Sequence, residues 1–197
     1  MRRRTAIFLI PIVALISLAL LTGCIEEEDV PETPTPVPTS TPPLTPTPSP
    51  PGIGMHLSSP AFEHGALIPK KCTCDGADIN PALIIENIPA ETKSLALIVD
   101  DPDAPLGTWV HWVVYNIPVV SRIEEDSIPG TQGINNFDRK EYGGPCPPSG
   151  THRYFFKIYA LDTELALGEE VDKKALEEAM QGHILDTAEL IGRYSRS

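Results

Sequence analysis

Proline decides where this chain folds. Of its 22 prolines, ten fall between Pro31 and Pro51, where they alternate with Thr and Ser. Each proline fixes φ and removes a backbone donor, so neither helix nor sheet propagates through such a run. The stretch from Ile25 to Gly54 has no apolar periodicity, and it opens on Glu26, Glu27, Glu28 and Asp29. With no apolar face to bury, it has nothing to offset the entropy of ordering. The expectation for residues 25–54 is an extended, disordered spacer rising about 3.1 Å per residue in polyproline II form. Its Thr and Ser hydroxyls are candidates for O-glycans, as in mucin-like stalks. A ligand for a proline-recognising domain is the alternative. Such domains are mostly cytoplasmic, and the residues before the spacer direct the chain outward.

Those residues are Arg2, Arg3 and Arg4, followed by an apolar run from Ala6 to Leu21 that ends in Leu21-Thr22-Gly23-Cys24. A basic flank, an apolar core and small residues at the cut make a secretory signal over residues 1–24. The ending resembles a lipobox, in which Cys24 becomes the lipidated first residue of the mature protein. An uncleaved N-terminal helix is the alternative, although the run is shorter than the roughly 20 residues of a full span. Both readings put the rest of the chain outside the cytoplasm, attached to the cell membrane.

Residues 55–197 remain, enough for one domain with a real core. The whole chain carries a net charge of −12; setting aside three leader arginines and five spacer acids leaves this domain at about −10. An acidic domain without a basic cluster is a poor nucleic-acid binder. Beyond Cys24 there are three cysteines, Cys72, Cys74 and Cys146. Three thiols allow at most one pair, and both Cys74–Cys146 and Cys72–Cys146 are open. Cys72-Thr73-Cys74 lacks the two-residue spacing of a metal knuckle or redox motif.

Leu95 to Val99 is a compact apolar run stopped by Asp100, Asp101 and Pro102, which reads as a buried strand. Trp109 to Ile117 and His152 to Leu161 are rich in aromatic and β-branched residues and read as two more. Shorter strands are expected near Phe62 to Ile68 and Ala82 to Ile85, and a long irregular loop from Gly130 to Gly150. Asp172 is a plausible N-cap for a helix with Leu176, Ala179, Met180 and Ile184 at helical spacing. A second short helix is expected to run from Gly182 to about Leu190. Strands first and helices last suggest a mostly antiparallel β domain with short C-terminal α-helices.

Two polar clusters interrupt the apolar strands. One is Asp101-Pro102-Asp103-Ala104-Pro105, with His111 inside the next strand; the other runs from Gly143 to Tyr154. Prolines 102 and 105 restrict the backbone around Asp103, which suits fixed presentation of a carboxylate. His152 and Tyr154 share strand parity and leave the same face. His111 shares parity with Trp109 and Val113. Plainer readings stand beside these. Asp-Pro pairs start turns. Pro105 and Gly107 misfit a calcium loop, and a metal site from Asp101, Asp103, His111 and His152 is chemically possible but disfavoured. Cys146 between prolines reads as structural rather than nucleophilic, and Ser149 lacks the strand-to-helix turn of a nucleophile elbow. Trp109 and Trp112 read as core or rim.

The domain resembles the phosphatidylethanolamine-binding protein family, in its prokaryotic Raf-kinase-inhibitor-like branch. The likeness covers residues 55–197. It is carried by Cys74-Asp75-Gly76, Asn80-Pro81, Asp101 to Pro105, Gly107 to Trp112, Asn116-Ile117-Pro118, Gly144 to Tyr154, Tyr159 to Asp162 and Met180 to Leu185, all in order. It implies two antiparallel sheets with Greek-key connections and flanking helices, and a small anion-binding pocket near the surface. By position, Asp101, Asp103, His111, His152 and Tyr154 line that pocket, with Pro105 and the loop Pro147-Pro148-Ser149-Gly150 as walls. It implies no metal or cofactor. The sequence lacks the long insert that eukaryotic members carry between the Asp-Pro run and the histidine, and its Ser149 loop is shorter.

Imidazoles, a phenol and loop N–H groups all donate to anion oxygens. The expectation is that Asp101 orients His111 or His152 and raises its pKa, so that a cationic ring meets the anion. The function read from the sequence is non-enzymatic binding of a small anionic or phosphorylated ligand. Inhibition of an extracytoplasmic protease, or regulation of a kinase by family analogy, is the alternative, and a hydrolase is less favoured for want of a nucleophile. The partners are that ligand, a protease, the membrane through the lipid anchor and a second copy in a homodimer, with no nucleic acid.

Overall fold

The computed structural model describes residues 54–168 and 170–196. The signal segment 1–24, with Cys24, and the spacer up to residue 53 lie outside them. The apolar run read at Leu95 becomes β3 (Ser94–Asp101), every residue of which is buried. A strand buried on both faces sits at the centre of a layered structure. Leu95, Leu97 and Val99 face one core, and Ala96 and Ile98 face another.

On one side of β3 lies β4 (Trp109–Ile117), and beyond it the two-residue β6 (Thr131–Gln132). On the other side lie β7 (Thr151–Leu161) and then β8 (Ile184–Ser195). All pairings in this five-stranded sheet are antiparallel. A second antiparallel sheet is built from β1 (His56–Ser58), β2 (Leu83–Glu86) and β5 (Arg122–Ile123). The first core fills the space between the sheets, with Leu57, Ile85 and Ile123 meeting Leu97, Trp112, Phe156 and Ile158. The second core lies on the far face of the large sheet. There Leu176 and Met180 of α1 (Lys173–Met180) cover Ala96, Ile98, Val113 and Tyr115.

The mostly β architecture with two antiparallel sheets is as expected. The C-terminus corrects the expectation. Asp172 does cap α1, accepting from the Ala175 N–H at 2.8 Å. The second short helix does not form: after Gly182, at φ +81°, the chain enters the 12-residue β8. Ala188, Leu190, Gly192 and Tyr194 share one parity, and Leu190 and Tyr194 enter the first core, which is strand periodicity. The strand expected at Phe62–Ile68 is instead an irregular segment strapped along β8. Ile68 N–H donates to Arg193 O and Arg193 N–H to Ala66 O, both at 2.8 Å. Gly192 permits this strap, since a Cβ there would meet Ile68 and Phe62 side-chain carbons at 2.4 to 2.8 Å.

The strand alternation of β3 continues into its two aspartates. Asp100 takes the α1 side, where Lys157 Nζ (2.9 Å) and Lys173 Nζ (2.5 Å) pair with its buried carboxylate. Asp101 takes the opposite side, at the end of the inter-sheet core. Cys74 and Cys146 are joined by a disulfide, and Cys72 is left as a buried free thiol that burial pushes up to about 11.

Candidate functional site

The site is built where β3 ends, β4 begins and β7 begins. Val99 pairs with Trp112 but Asp100 pairs with Val110, so His111 is an extra residue on β4. Such a bulge re-aims a side chain. It breaks the parity read from the sequence: Val113 and Val110 face α1, while His111 turns to the same side as Asp101 and Tyr154. The loop from Asn135 to Gly143 satisfies the backbone exposed by the bulge. Asn135 Nδ2 (3.1 Å) and Gly143 N–H (3.0 Å) both donate to His111 O, and Val110 N–H donates to Asn136 Oδ1 at 2.7 Å.

His111 is buried, and its Nδ1–H donates to Gly143 O at 2.5 Å. A carbonyl only accepts, so Nδ1 carries the proton and the neutral ring presents Nε2 as a lone pair. Burial pushes this imidazole below its ordinary value, against the weaker pull of Gly143 and the aspartates. The expectation of a cationic His111 raised by Asp101 is therefore corrected: desolvation outweighs the charge. It is His152 that Asp101 orients, with Nδ1 at 2.7 Å from Asp101 Oδ2 and both side chains buried. The other carboxylate oxygen accepts the Asp103 N–H at 2.8 Å.

Tyr154 is fully buried and meets the His111 ring edge-on at 5.2 Å. Burial, then the nearby Asp101 carboxylate, holds its phenol well above the ordinary range. Tyr154 Oη has no partner of good hydrogen-bond geometry, and neither has the buried Trp109 Nε1. Both residues line a cavity of ≈ 370 Å³ together with Asp101, His111 and His152. Its walls are apolar: Pro105 and Leu106 from one loop, Cys146, Pro147 and Pro148 from another, and Phe137 from a third. Phe137 stands edge-on to both Trp109 (5.4 Å) and His111 (5.3 Å).

Of the residues read from the sequence, Asp101, Pro105, His111, Pro147, Pro148, His152 and Tyr154 come together here. Asp103 and Gly150 do not line the cavity. Asp103 turns outward into a two-toothed pair with Arg153 (Nη2–Oδ1 2.7 Å, Nε–Oδ2 2.9 Å), and that guanidinium holds its carboxyl down at about 2. Gly150, at φ +70°, turns the chain into β7. Ser149 is also outside the lining, and the Cys146 sulfur is committed to its disulfide. Sequence reasoning missed Leu106 and Phe137, which sit in loops without periodicity, and assigned Trp109 to core or rim. The density of aromatics just before and after the bulge was the available signal.

Residues 58–195 match the family model for phosphatidylethanolamine-binding protein. The chain belongs to that family. A UPF0098 protein of Methanothermobacter thermautotrophicus is 49% identical over 150 residues, 72% of this chain and 99% of the relative. One from Chlamydia muridarum is 51% identical over 149 residues, again 72% of this chain and 99% of the relative. Among solved structures, a putative phosphatidylethanolamine-binding protein homologue from Chlamydia trachomatis superposes with a TM-score of 0.71. It is 47% identical and covers 73% of this chain and 99% of its own. YbcL of E. coli, described as a new member of the mammalian family, gives 0.68 at 29% identity over 74% of this chain and 100% of its own.

Proposed function

We propose that this domain is a non-enzymatic binding module for a small phosphate- or carboxylate-bearing ligand, of the prokaryotic Raf-kinase-inhibitor-like kind. It works outside the cytoplasm on a tether lipidated at Cys24. One observation carries the reading: two buried donors that make no hydrogen bond of good geometry, Tyr154 Oη–H and Trp109 Nε1–H, line one cavity. Buried polar groups are normally paired, and an unpaired one costs about 1–3 kcal/mol. An anion whose oxygens reach both donors removes both costs. His152, its Nδ1 held by Asp101, lines the same cavity. The apolar walls suit a substituent on the anion.

Titration with phenyl phosphate tests the reading. Tyr154→Phe removes the orphan hydroxyl and keeps the ring against His111. It is expected to weaken binding about tenfold or more, the worth of a hydrogen bond to a charged group, without loss of folding stability. Unchanged affinity in this variant would remove the anion from the cavity.

A further inference from the structure

The donors explain why an anion enters the cavity. They do not explain His111, which faces it with an acceptor. Its Nδ1–H is spent on Gly143 O at 2.5 Å, and no hydrogen bond reaches Nε2 among the described residues. The Asp101 carboxylate lies in the same cavity and also only accepts. A fully ionised oxyanion placed here meets the lone pair of Nε2 head-on. An oxyanion that keeps one O–H satisfies both kinds of wall group, accepting from Tyr154 and Trp109 and donating to His111.

We infer that the cavity selects the monoprotonated form of a phosphomonoester, with the P–O–H donating to His111 Nε2. The inference rests on the anion-pocket reading and narrows it to one ligand class. Sulfate monoesters carry no proton at neutral pH, and phosphodiesters, including lipid headgroups of that type, have by then lost their single P–O–H proton. Both are therefore disfavoured relative to a monoester of similar shape.

The groups around His111 keep it in the acceptor form. Asp100 and Asp101 approach from β3, His152 and Tyr154 from β7, and Asp78, paired with Arg139, from the loops beside β4. Their combined charge does not overcome burial, which lowers the ring below its ordinary value. Above about pH 6.5 the ring is neutral, while the second proton of a phosphomonoester leaves near pH 6. In that window the fraction of competent ligand falls about tenfold per pH unit.

The test compares phenyl phosphate, phenyl sulfate and methyl phenyl phosphate by calorimetric titration of the intact protein between about pH 6.5 and about pH 8.5. A pH effect on the protein alone acts on all three ligands, so the ratio of phosphate to sulfate affinity isolates the ligand proton. The expected result is that phenyl phosphate binds at least about tenfold tighter at the lower pH, with the ratio collapsing as pH rises. His111→Phe, which keeps a ring beside Phe137 and Tyr154, is expected to abolish the preference for phenyl phosphate over phenyl sulfate. Equal binding of all three at every pH overturns the inference and leaves the anion pocket standing. Binding of none overturns both.

Discussion

Replacing both bridged cysteines, as Cys74→Ser with Cys146→Ser, is expected to cost about 4 kcal/mol of stability. The bridge spans a sequence separation of 72 residues, and closing a loop of that size removes about that much denatured-state entropy. For a domain of this size the loss lowers Tm by roughly 10 °C. The strap carrying Cys146 keeps its other fastenings: Gly144 N–H to Asp78 Oδ1 at 2.7 Å, Cys74 N–H to Pro145 O at 3.2 Å, and Tyr142 Oη–H to Cys72 O at 3.1 Å. The fold therefore survives and its stability falls. Cys146, Pro147 and Pro148 form a wall of the cavity, so phenyl phosphate binding weakens with the bridge gone. Cys72 does not substitute, because burial keeps its thiol protonated. Thermal unfolding of the double variant beside the oxidised parent decides the matter. A shift of less than about 3 °C contradicts a structural role for the bridge.

The second large effect lies behind the cavity. Asp100 is a buried carboxylate held by Lys157 and Lys173. Both lysines keep part of their side chains in solvent, whereas Asp100 is 1% exposed. Losing one lysine leaves the other in place. Losing both, as Lys157→Met with Lys173→Met, strands a charge in the interior, which costs about 3–5 kcal/mol. Adding Asp100→Asn to that pair removes the charge and is expected to recover most of the loss, a coupling that only contacting residues show. Denaturant unfolding of the single, double and triple variants measures it. A double variant within about 1 kcal/mol of the parent rules out an essential pairing.

These two clusters show what sequence reading reaches. The central strands were legible because β3, β4 and β7 are runs of apolar and aromatic residues, and β3 is covered on both faces. The C-terminal strand was not. Leu176 and Met180 set a helical spacing that Ile184 continues by coincidence, and Ile184 and Leu185 are exposed in the structure. The alternation of Ala188, Leu190, Gly192 and Tyr194 is a strand signal, but it competes with that spacing over a short distance. Asp100 and Asp101 read as a single acidic stop, although strand alternation sends one to each face.

The candidate site shows the same split. Asp101, His152 and Tyr154 stand out in the sequence as polar residues interrupting apolar strands, two of them on one parity, and the family resemblance is what gathers them into one pocket. Asp103 was assigned to the pocket because it lies in the same motif. Its position allows two ion-pair contacts with Arg153, and these turn it outward. His111 lines the cavity, but it presents an acceptor where the sequence reading expected a cationic donor. A bulge is a one-residue register shift that leaves no mark in the apolar pattern, and the Gly143 carbonyl that fixes its tautomer is 32 residues away. Phe137 had no periodic neighbour to announce it.

The central claim is that unpaired donors in this cavity meet an anion. A crystal structure of the protein soaked with phenyl phosphate tests it most directly. The expected result is the phosphoryl group in the cavity, with oxygens about 2.7–3.1 Å from Tyr154 Oη and Trp109 Nε1 and the phenyl ring against Phe137 and the proline walls. A phosphoryl group bound elsewhere, or one in the cavity that leaves both donors unpaired, would contradict it.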